Sequence, residues 1–390
     1  MNMRKTRVCC FCETWESGGI ESFLYNLLTH MDLEQIEVDI VVSRLGKSVF
    51  TQELQKRGVH FYELSGSPLK ILKNDAMFRK LLKTRQYDVV HFHVFQALSL
   101  RLAHRARRAG VPVRIAHSHN TSLRKSRTRR LKLWVHCCAR QLWAGDATDF
   151  WACSQDAAKF MFSQRTLERR GWIYIPNGID IERFRFRSQE GLQTRQALGL
   201  TNEFLVGCVG RLCEQKNQEF LLDVFSELQR TAPTSKLLLV GEGSKKDELR
   251  EKAERLGIAK DVIFYGTSDQ VEKLFWAMDV LAFPSLYEGL GIVAIEAQAA
   301  GMPVVCSERV PEETHVSPLL QTTALSEGAE AWANALLSAG RIRREEAGSI
   351  LKGAGFEIAE VAACIQGAYQ GTHRLRRAEN GKVICCHPYL

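Results

Sequence analysis

The segment VLAFPSLYEGLGIVAIEAQAAGMPVVCS, residues 280–307, has the pattern of a strand, a loop, a helix and a second strand. Its two ends are short and apolar, which is typical of buried strands, and Gly291 opens an apolar run of helical length between them. Two acidic residues, Glu288 and Glu296, lie eight positions apart in this segment. The pattern predicts that Glu288 lies in the loop and that Glu296 lies on the second or third turn of the helix.

The same alternation of apolar strands and helix-periodic segments runs through the whole chain. Strand-like runs include EVDIVVS and DVVHFH in the first half and FLVGCVGR and SKLLLVG in the second half. Apolar strands that alternate with helices predict parallel sheets covered by helices on both faces. Because 390 residues are enough for two domains, we expect an α/β protein with two doubly wound, Rossmann-like domains.

A turn signal, Pro176-Asn177-Gly178, and the polar stretch after it mark the expected boundary between the two domains. The expected organisation is a first domain at 1–176, a linker at 177–198, a second domain at 199–355, a C-terminal helix at 356–373 and a tail at 374–390. We expect the tail to be disordered, since its sequence matches no motif.

The composition excludes several classes of protein. With 45% hydrophobic and 25% charged residues, the chain has the composition of a soluble globular protein. No uncharged apolar run reaches the roughly 18 residues of a membrane span, and Glu13 and Glu16 interrupt the N-terminus before a signal-peptide core is complete. We therefore expect a cytoplasmic protein. Most of its twelve cysteines, among them Cys9, Cys10 and Cys12, are interpreted as small core residues, and we expect no metal site.

The charge is uneven along the chain. Residues 1–186 contain 31 Lys and Arg against 17 Asp and Glu, whereas residues 187–390 contain 22 against 27. An anionic partner is therefore expected for the first half alone. The densest basic stretch leads into an aromatic helical segment, which is typical of contact with an anionic membrane surface; its basic residues include Arg124, Lys125, Arg127, Arg129 and Arg130. The alternative is a solvated helix face with core residues behind it. We expect no nucleic acid as partner, because no recognised binding module is present.

Two segments offer groups that bind phosphate. Gly18 and Gly19 follow the first strand, let the backbone approach a ligand and open a helix whose first amides are free. In GRLCEQKNQ, Arg211 and Lys216 follow a strand, and the two cations together suit a diphosphate. The alternative is two surface cations on a strand-to-helix loop. The Gly-Gly pair does not form the G-x-G-x-x-G fingerprint, which disfavours a dinucleotide-dependent dehydrogenase.

The opening segment adds further candidates. The amides of Gly289, Leu290 and Gly291, at the start of the helix, form an expected anion cradle. Glu288 would be repelled by phosphate, so hydroxyl groups are its suitable partners. Glu296 is costly to bury without a partner, and ribose hydroxyls would satisfy it. The alternative for both acids is a role in packing only.

Histidines end two of the predicted strands. AHSHN contains His117 and His119, and DVVHFH contains His91 and His93. We expect His117 and His119 to face opposite sides of their strand, so that one of them reaches a ligand-binding edge. A histidine at such a position is more often structural than catalytic.

Taken together, the motifs SGGIE, AHSHN, IPNGID, GRLCEQKNQ and PSLYEGLGIVAIEAQAAG resemble those of the retaining glycosyltransferases of family 4, which have the GT-B fold. The resemblance covers essentially the whole chain and extends to enzymes of bacterial capsular and exopolysaccharide assembly. It implies two Rossmann-like domains that face each other across a cleft. The second domain would bind a nucleotide-sugar donor, more often UDP-linked than GDP-linked in this branch. The first domain would bind a saccharide or lipid-linked saccharide acceptor.

The resemblance also implies roles for the candidate residues. Arg211 and Lys216 would neutralise the donor diphosphate, and Glu288 would contact the sugar hydroxyls. His119 matches the histidine of the family's cleft better than His117 does, and it completes the catalytic set. Donor binding is assigned to the carboxylate of Glu296, at the ribose, and to the backbone of Gly18, Gly19, Gly289, Leu290 and Gly291. No D-x-D motif follows an apolar strand, so a metal-dependent GT-A enzyme is not expected, and no metal or further cofactor is required. We expect a peripheral protein at the inner face of the cell membrane.

Two alternatives stay open. A sugar-nucleotide 2-epimerase would share the fold and the nucleotide pocket but needs acid–base carboxylates in the first half, where we identify no convincing pair. An inactive GT-B scaffold would bind a nucleotide sugar without transferring it, but the complete set of charged candidates argues against such decay. Residues 307–325 lack the Gly-rich loop of many family members, which leaves donor recognition by this segment open.

Overall fold

The computed structural model describes residues 4–16, 18–123 and 128–372. These residues form two compact units, one that extends to Ile179 and resumes at Gly355, and one that spans Asp180–Ala354. The predicted tail at 374–390 and the basic residues Arg124, Lys125 and Arg127 lie outside the described residues.

The first unit is built on a parallel sheet with the strand order β3-β2-β1-β4-β5-β6-β7. Its strands are β1 (Thr6–Trp15), β2 (Ile36–Leu45), β3 (His60–Glu63), β4 (Val89–Val94), β5 (Val113–Ser118), β6 (Asp149–Ala152) and β7 (Ile173–Tyr174). Its helices are α1 (Gly19–Thr29), α2 (Thr51–Lys56), α3 (Ile71–Arg85), α4 (Arg101–Arg108), α5 (Arg129–Trp143), α6 (Gln155–Met161), α7 (Gln164–Arg170) and, from the C-terminal part of the chain, α16 (Ile358–Gln370).

The second unit is built on a parallel sheet with the strand order β10-β9-β8-β11-β12-β13. Its strands are β8 (Leu205–Val209), β9 (Lys236–Val240), β10 (Val262–Gly266), β11 (Val280–Phe283), β12 (Val304–Cys306) and β13 (Leu320–Thr322). Its helices are α8 (Ile181–Phe184), α9 (Ser188–Ala197), α10 (Gln218–Thr231), α11 (Lys246–Arg255), α12 (Val271–Ala277), α13 (Ile292–Ala299), α14 (Gly328–Ala339) and α15 (Gly348–Gly353). The predicted fold class, two Rossmann-like parallel-sheet domains, is confirmed.

Helix α1 illustrates why these segments fold as they do. Its apolar residues recur at helical spacing, and Ile20, Phe23, Leu24 and Leu27 are buried in the core that also contains the residues of β1 and β2. The interior of β1 is itself buried on both faces, as is usual for the central strand of a parallel sheet covered by helices. Burial of such side chains stabilises the unit by about 1.5–3 kcal/mol for each large residue.

Each sheet has a point where the strand order reverses direction. In the first unit β2 lies on one side of β1 and β4 on the other, and in the second unit β9 and β11 flank β8 in the same way. In open parallel sheets the crevice beyond the carboxyl ends of such strands is the usual ligand-binding place. The loops that follow β1 and β4, and those that follow β8 and β11, are therefore the places to look for a site.

The unit boundaries differ from the expected domain boundaries at both ends of the second unit. Residues 180–198, expected as linker, belong to the second unit, where an added Cβ at Gly191 would lie 2.6 Å from the backbone oxygen of Trp276. The C-terminal helix joins the first unit, because the Ile179 amide donates to Phe356 O at 2.8 Å and the Ile358 amide donates to Ile179 O at 3.0 Å.

Candidate active site

The loop after β8 carries the two predicted cations. Gly210 ends the strand with φ at 143°, a conformation that favours glycine. A short 3-10 turn at Glu214–Lys216 follows, and Asn217 in the left-handed region begins α10. The side chain of Gln218 donates to Arg211 O at 2.9 Å and fixes the start of the loop. The sequence pattern therefore delivers both cations to the carboxyl end of β8, as expected.

Lys216 and Glu288 form an ion pair between the loops after β8 and β11. The distance from Lys216 Nζ to Glu288 Oε1 is 2.6 Å, and the two side chains are only 14% and 8% exposed. The ammonium also lies 4.7 Å from the centre of the Phe283 ring. Gln215 ties the same two loops together, because its Nε2 donates to Tyr287 O at 2.9 Å. A charged pair this well buried lies in a site of low dielectric, where its field acts strongly on a bound ligand.

Arg211 is exposed, in contrast to Lys216. Its guanidinium makes no hydrogen bond or ion pair with another residue of the described chain. An arginine without a partner at the end of a parallel strand is available to an anionic ligand, and its planar donor set suits two phosphate oxygens.

The loop after β11 leads into α13 as predicted. Gly291 has φ at 88°, and a Cβ there would lie 3.0 Å from the Phe283 ring, so the position favours glycine for two reasons. Within the described part of the chain, the N–H groups of Leu290, Gly291, Ile292 and Val293 have no acceptor. Unpaired amides at a helix N-terminus attract an anion. The amides of Leu290 and Gly291, two of the three in the expected cradle, are thus free donors within the described chain, and binding of an anion there stays a prediction.

Glu296 lies on the second turn of α13, as the sequence predicted. Burial raises the pKa of its carboxyl group to about 8, and the positive charges of Arg183 and Lys216 offset only part of this shift. Arg183 is committed elsewhere, since its Nη2 donates to Glu272 Oε2 at 2.8 Å. No described residue hydrogen-bonds the carboxyl group of Glu296. It is a half-buried acid whose hydrogen-bonding capacity is open to a ligand.

Arg183 and Glu272 were missed from the sequence. Arg183 lies in the segment IPNGIDIERF, which the sequence assigns to the domain boundary. Glu272 is the second residue of α12. Their pairing cannot be read from composition, because 89 residues separate them. Arg183 is engaged by Glu272 and does not hydrogen-bond Glu296, and the charge of Glu272 raises the pKa of the Glu296 carboxyl group.

In the first unit, His119 belongs to a cluster of four histidines. His91 and His93 come from β4, and His117 and His119 come from the end of β5. The His117 and His119 rings lie 4.0 Å apart, so the expectation that they face opposite sides is wrong. Residues two apart in a strand share a face, because the side chains alternate with a period of two.

His119 is a neutral imidazole. Burial lowers its pKa to about 3, and the nearby side chain of Asn177 opposes only part of this shift. Its ring contacts that of His93, with Nε2 3.0 Å from His93 Nδ1. A neutral imidazole orients a hydroxyl group but does not act as an acid near neutral pH.

The Gly18-Gly19 pair lies where α1 follows β1. Gly18 caps the helix, and a Cβ there would lie 2.7 Å from Glu21 Oε2, whereas a Cβ at Gly19 would meet nothing within 4 Å. Gly18 thus allows a close contact with the buried Glu21, and Gly19 faces open space. The sequence did not identify Glu21, whose Oε1 accepts from the Glu16 amide at 3.1 Å.

A second acid missed from the sequence lies at the same edge. Glu13 ends β1 and accepts hydrogen bonds from Ser99 Oγ at 2.5 Å and from Gln96 Nε2 at 3.3 Å. Burial raises the pKa of this carboxyl group, and the two donors oppose the shift only in part. Ser99 and Gln96 follow β4, so the contacts join both strands of the β1/β4 switch point.

Helix α5 begins with Arg129 and Arg130, the described members of the predicted basic stretch. Three large apolar side chains on this helix face solvent: Leu131 is 61%, Trp134 65% and Leu142 67% exposed. Among the helices that the structure describes, none is both long enough and apolar enough to cross a membrane.

Comparison with known proteins decides the family. The model of Glycosyltransferase Family 4 matches residues 17–183, and the model of Glycosyl transferases group 1 matches residues 192–339. A Bacillus subtilis (strain 168) protein named glycosyltransferase EpsF is 32% identical over 382 residues, which cover 95% of this chain and 97% of the relative. The chain belongs to the family 4 glycosyltransferases.

Other relatives of this glycosyltransferase carry more specific names. An Escherichia coli protein named UDP-Gal:alpha-D-GlcNAc-diphosphoundecaprenol alpha-1,3-galactosyltransferase is 28% identical over 250 residues, 62% of this chain and 63% of the relative. Among solved structures, Anabaena HepE in complex with UDP and glucose has a TM-score of 0.75 at 22% identity and covers 94% of this chain and 99% of that chain. WaaG, a glycosyltransferase involved in lipopolysaccharide biosynthesis, has a TM-score of 0.67 at 16% identity, with coverages of 91% and 94%. The two structures support the GT-B fold of the glycosyltransferase.

Proposed function

We propose that this glycosyltransferase moves a hexose from a UDP-sugar to a lipid-linked saccharide during bacterial exopolysaccharide assembly. In this proposal the transfer retains the anomeric configuration, needs no metal ion, and takes place at the inner face of the cell membrane. The observation that carries the proposal is the buried Lys216–Glu288 pair at the β8/β11 edge, where α13 also presents unpaired amides.

The charges at the β8/β11 edge suit a nucleoside diphosphate. Cleavage of the bond between the anomeric carbon and the phosphate oxygen leaves negative charge on the diphosphate. Lys216 uses one of its three N–H donors on Glu288, and no other described side chain takes the remaining two, so these are available to phosphate oxygens. Arg211 and the amides of Gly291 and Ile292 supply further donors. Fixed donors in a buried site stabilise the leaving group without reorganisation.

The two carboxyl groups suit hydroxyl ligands. Glu288 holds Lys216 in place, and a carboxylate is an acceptor that suits a sugar hydroxyl. Glu296 lacks a hydrogen-bond partner in the described chain, and two ribose hydroxyls would supply donors that favour its ionised form. The complex of Anabaena HepE with UDP and glucose supports this choice of donor class at the level of the fold.

The acceptor side of the proposal rests on the first unit. The E. coli relative is named for an acceptor on diphosphoundecaprenol, and the first half of this chain is the basic half. Helix α5 exposes Leu131 and Trp134 next to Arg130. Apolar and basic side chains on one exposed helix are the features of an interfacial helix on an anionic bilayer. A lipid-linked acceptor would be reached from that position.

Retention is proposed to occur by attack on the face from which the phosphate leaves. The acceptor oxygen bonds to the anomeric carbon while the bond from that carbon to the phosphate oxygen breaks, and the acceptor proton passes to that phosphate oxygen. In this proposal Glu288 serves to orient rather than to attack, since Lys216 engages it at 2.6 Å. A protein nucleophile is then not required.

The test is release of nucleoside diphosphate from a panel of UDP- and GDP-sugars in the presence of EDTA, with and without undecaprenyl-diphosphate-linked monosaccharides. We expect acceptor-stimulated release from one UDP-sugar and an α-linked product by NMR. Glu288→Gln should abolish release, whereas Glu251→Gln, which changes an exposed acid of α11, should not. Epimerisation of a donor without release would support the 2-epimerase. Donor binding without release for every acceptor would support the inactive scaffold.

A further inference from the structure

Two H-x-H motifs lie on neighbouring strands of the first unit. HFH at 91–93 ends β4, HSH at 117–119 ends β5, and the strands are paired so that His93 stands opposite His117. Because side chains two apart share a face, the four imidazoles form one layer on that face. Ring centres are 3.9 Å apart for His91 and His93 and 4.0 Å apart for His117 and His119.

This layer lies in the core and leaves polar atoms unsatisfied. His91, His93 and His117 are fully buried. Phe23 packs against these rings, and its ring centre lies 5.6 Å from that of His117. Within the described chain, His93 Nε2, His117 Nε2 and His119 Nδ1 have no hydrogen-bond partner. Buried polar atoms without partners are rare in native proteins, and a bound ion at His93 Nε2 would account for one of these three. Apolar side chains of similar size would avoid the cost entirely.

We propose that His91, His93 and His117 bind one divalent cation of the zinc type, which joins β4 to β5. Each of the three offers one nitrogen, and these nitrogens lie within 4.8 Å of one another. His91 Nε2 and His117 Nδ1 are 3.1 Å apart. A tetrahedral ion with bonds of about 2.0–2.1 Å holds its ligands roughly 3.3 Å apart, so these two atoms are already close to the spacing that an ion requires. A ligand set of imidazoles alone favours Zn²⁺, Cu²⁺, Ni²⁺ or Co²⁺ over Mg²⁺ and Ca²⁺.

The surroundings include the outer contact that such a site needs. Tyr369 OH lies 2.6 Å from His91 Nδ1, which leaves Nε2 of that ring directed at His117. Partners of this kind fix the tautomer and orientation of a ligating histidine. Tyr369 belongs to α16, so the ion would also anchor the C-terminal helix to the sheet. The role is structural, and it goes beyond the proposed sugar transfer, which uses no metal ion.

The experiment measures metal binding on the full chain without an affinity tag. The exposed Cys137 and the partly buried Cys138 are replaced by serine. Candidate ligands near the end of the sequence are replaced by Cys385→Ser, Cys386→Ser and His387→Gln. After dialysis against a chelator, Co²⁺ and Zn²⁺ are added while visible absorption, bound metal and the thermal midpoint are measured. We expect one bound ion per chain, an absorption spectrum of nitrogen-ligated Co²⁺ without thiolate charge transfer, and a higher midpoint.

Variants decide whether the three histidines hold the ion. His93→Gln and His117→Gln should each lose the bound equivalent, and Tyr369→Phe should weaken binding about 10- to 100-fold. The control is His315→Gln, an exposed histidine of the second unit, which should bind like the parent. If circular dichroism shows that a glutamine variant does not fold, the electron paramagnetic resonance spectrum of Cu²⁺ bound to the parent is measured instead. Hyperfine coupling to imidazole nitrogens is then the expected result, and its absence would overturn the assignment.

Failure of this proposal is separable from failure of the proposed function. A folded parent that binds no ion, or variants that bind as the parent does, would overturn the metal site and leave the histidines as a hydrogen-bonded layer. Neither result depends on turnover. A parent protein that binds the ion but transfers no sugar would instead count against the proposed function.

Discussion

The β8/β11 edge of the second unit and the β1/β4 edge of the first unit occupy equivalent places in two sheets of similar strand order. The first of these edges carries a buried ion pair, an exposed arginine and unpaired helix amides. The second carries Glu13, and His119 lies beside it at the end of the neighbouring strand β5; burial shifts the pKa of both toward the neutral form. One edge thus carries charged groups that suit a charged ligand, and the other carries groups in their neutral form that suit the hydroxyls of a ligand. Strand order sets where a ligand binds, while the loop residues set which ligand it is.

The largest expected effect comes from removing the cation of the buried pair. Lys216→Ala should lower kcat/KM about 10³-fold, because the leaving diphosphate loses a fixed donor. It should also destabilise the second unit by about 3 kcal/mol, because the buried carboxylate of Glu288 loses the neighbouring ammonium. Steady-state kinetics and denaturant unfolding measure the two effects.

A double variant separates stability from catalysis in this pair. Lys216→Ala combined with Glu288→Gln should recover stability, because glutamine carries no charge at the buried position. It should not recover activity, because the leaving diphosphate still lacks the ammonium of Lys216. Cys137→Ser, at an exposed site of the first unit, should behave as the parent. Turnover near that of the parent in Lys216→Ala would disprove the assignment of this edge to the diphosphate.

Arg211 tests whether the exposed cation contributes as the buried one does. Arg211→Gln should lower kcat/KM about 10²-fold through lost contact with phosphate. Stability should stay within about 0.5 kcal/mol, because the guanidinium has no partner in the described chain to lose. Arg255→Gln, an equally peripheral arginine of α11 that is 68% exposed, is the matched control. Equal losses in both variants would show a general charge effect instead of a site.

The first unit is expected to bind a bilayer through α5. Leu131→Ser combined with Trp134→Ser should weaken binding to anionic liposomes about 10- to 100-fold, because two large apolar side chains no longer enter the interface. The matched control is Leu69→Ser with Leu72→Ser, which removes two leucines that are 89% and 83% exposed elsewhere in the same unit. Co-sedimentation at low and high salt measures the binding. A similar loss in the control would contradict a dedicated surface on α5.

The two edges also differ in how far the sequence predicted them. Apolar strands and the spacing of Glu288 and Glu296 follow local periods, so the loop and helix positions of these residues were confirmed. The contact between Lys216 and Glu288 joins residues 72 apart and depends on how two loops pack, which no local pattern encodes. The expectation for His117 and His119 was wrong for a different reason. Side chains of a strand alternate between its faces, so the spacing of these residues in the sequence already places them on the same face. Residues 180–198 are polar in composition, and the two short helices there, α8 and α9, bury only a few residues each. The sequence therefore shows no clear apolar face at helical spacing in this segment.

A smaller effect is expected at the neutral edge. Glu13→Gln should raise the KM for the acceptor about tenfold, since one hydrogen bond to a hydroxyl is weakened while the hydrogen bond from Ser99 is kept. The KM for the donor and the slow hydrolysis of the donor without acceptor should not change. Glu16→Gln, a 46% exposed neighbour that pairs with Arg44, is the control. A change in donor KM would mean that the two edges do not divide the substrates as proposed.

The last expected effect is a change of stability with pH, which separates folding from donor binding at Glu296. The folded pKa of this carboxyl group is about 8, against about 4.3 in an unfolded chain. The folded protein therefore holds the extra proton between these values, and its stability falls as pH rises from about 4.3 to 8 and then levels off, by at most about 1.4 kcal/mol per pH unit. Glu296→Gln cannot ionise, so its thermal midpoint relative to the parent should rise across this window and stay constant above pH 8. A UDP-sugar that donates hydroxyls to the carboxylate should flatten the fall in the parent but not in the variant. If the thermal midpoints of the two proteins change with pH in the same way, the pKa of Glu296 is not raised in the folded protein, and the proposed role of this carboxyl group in donor binding loses its support.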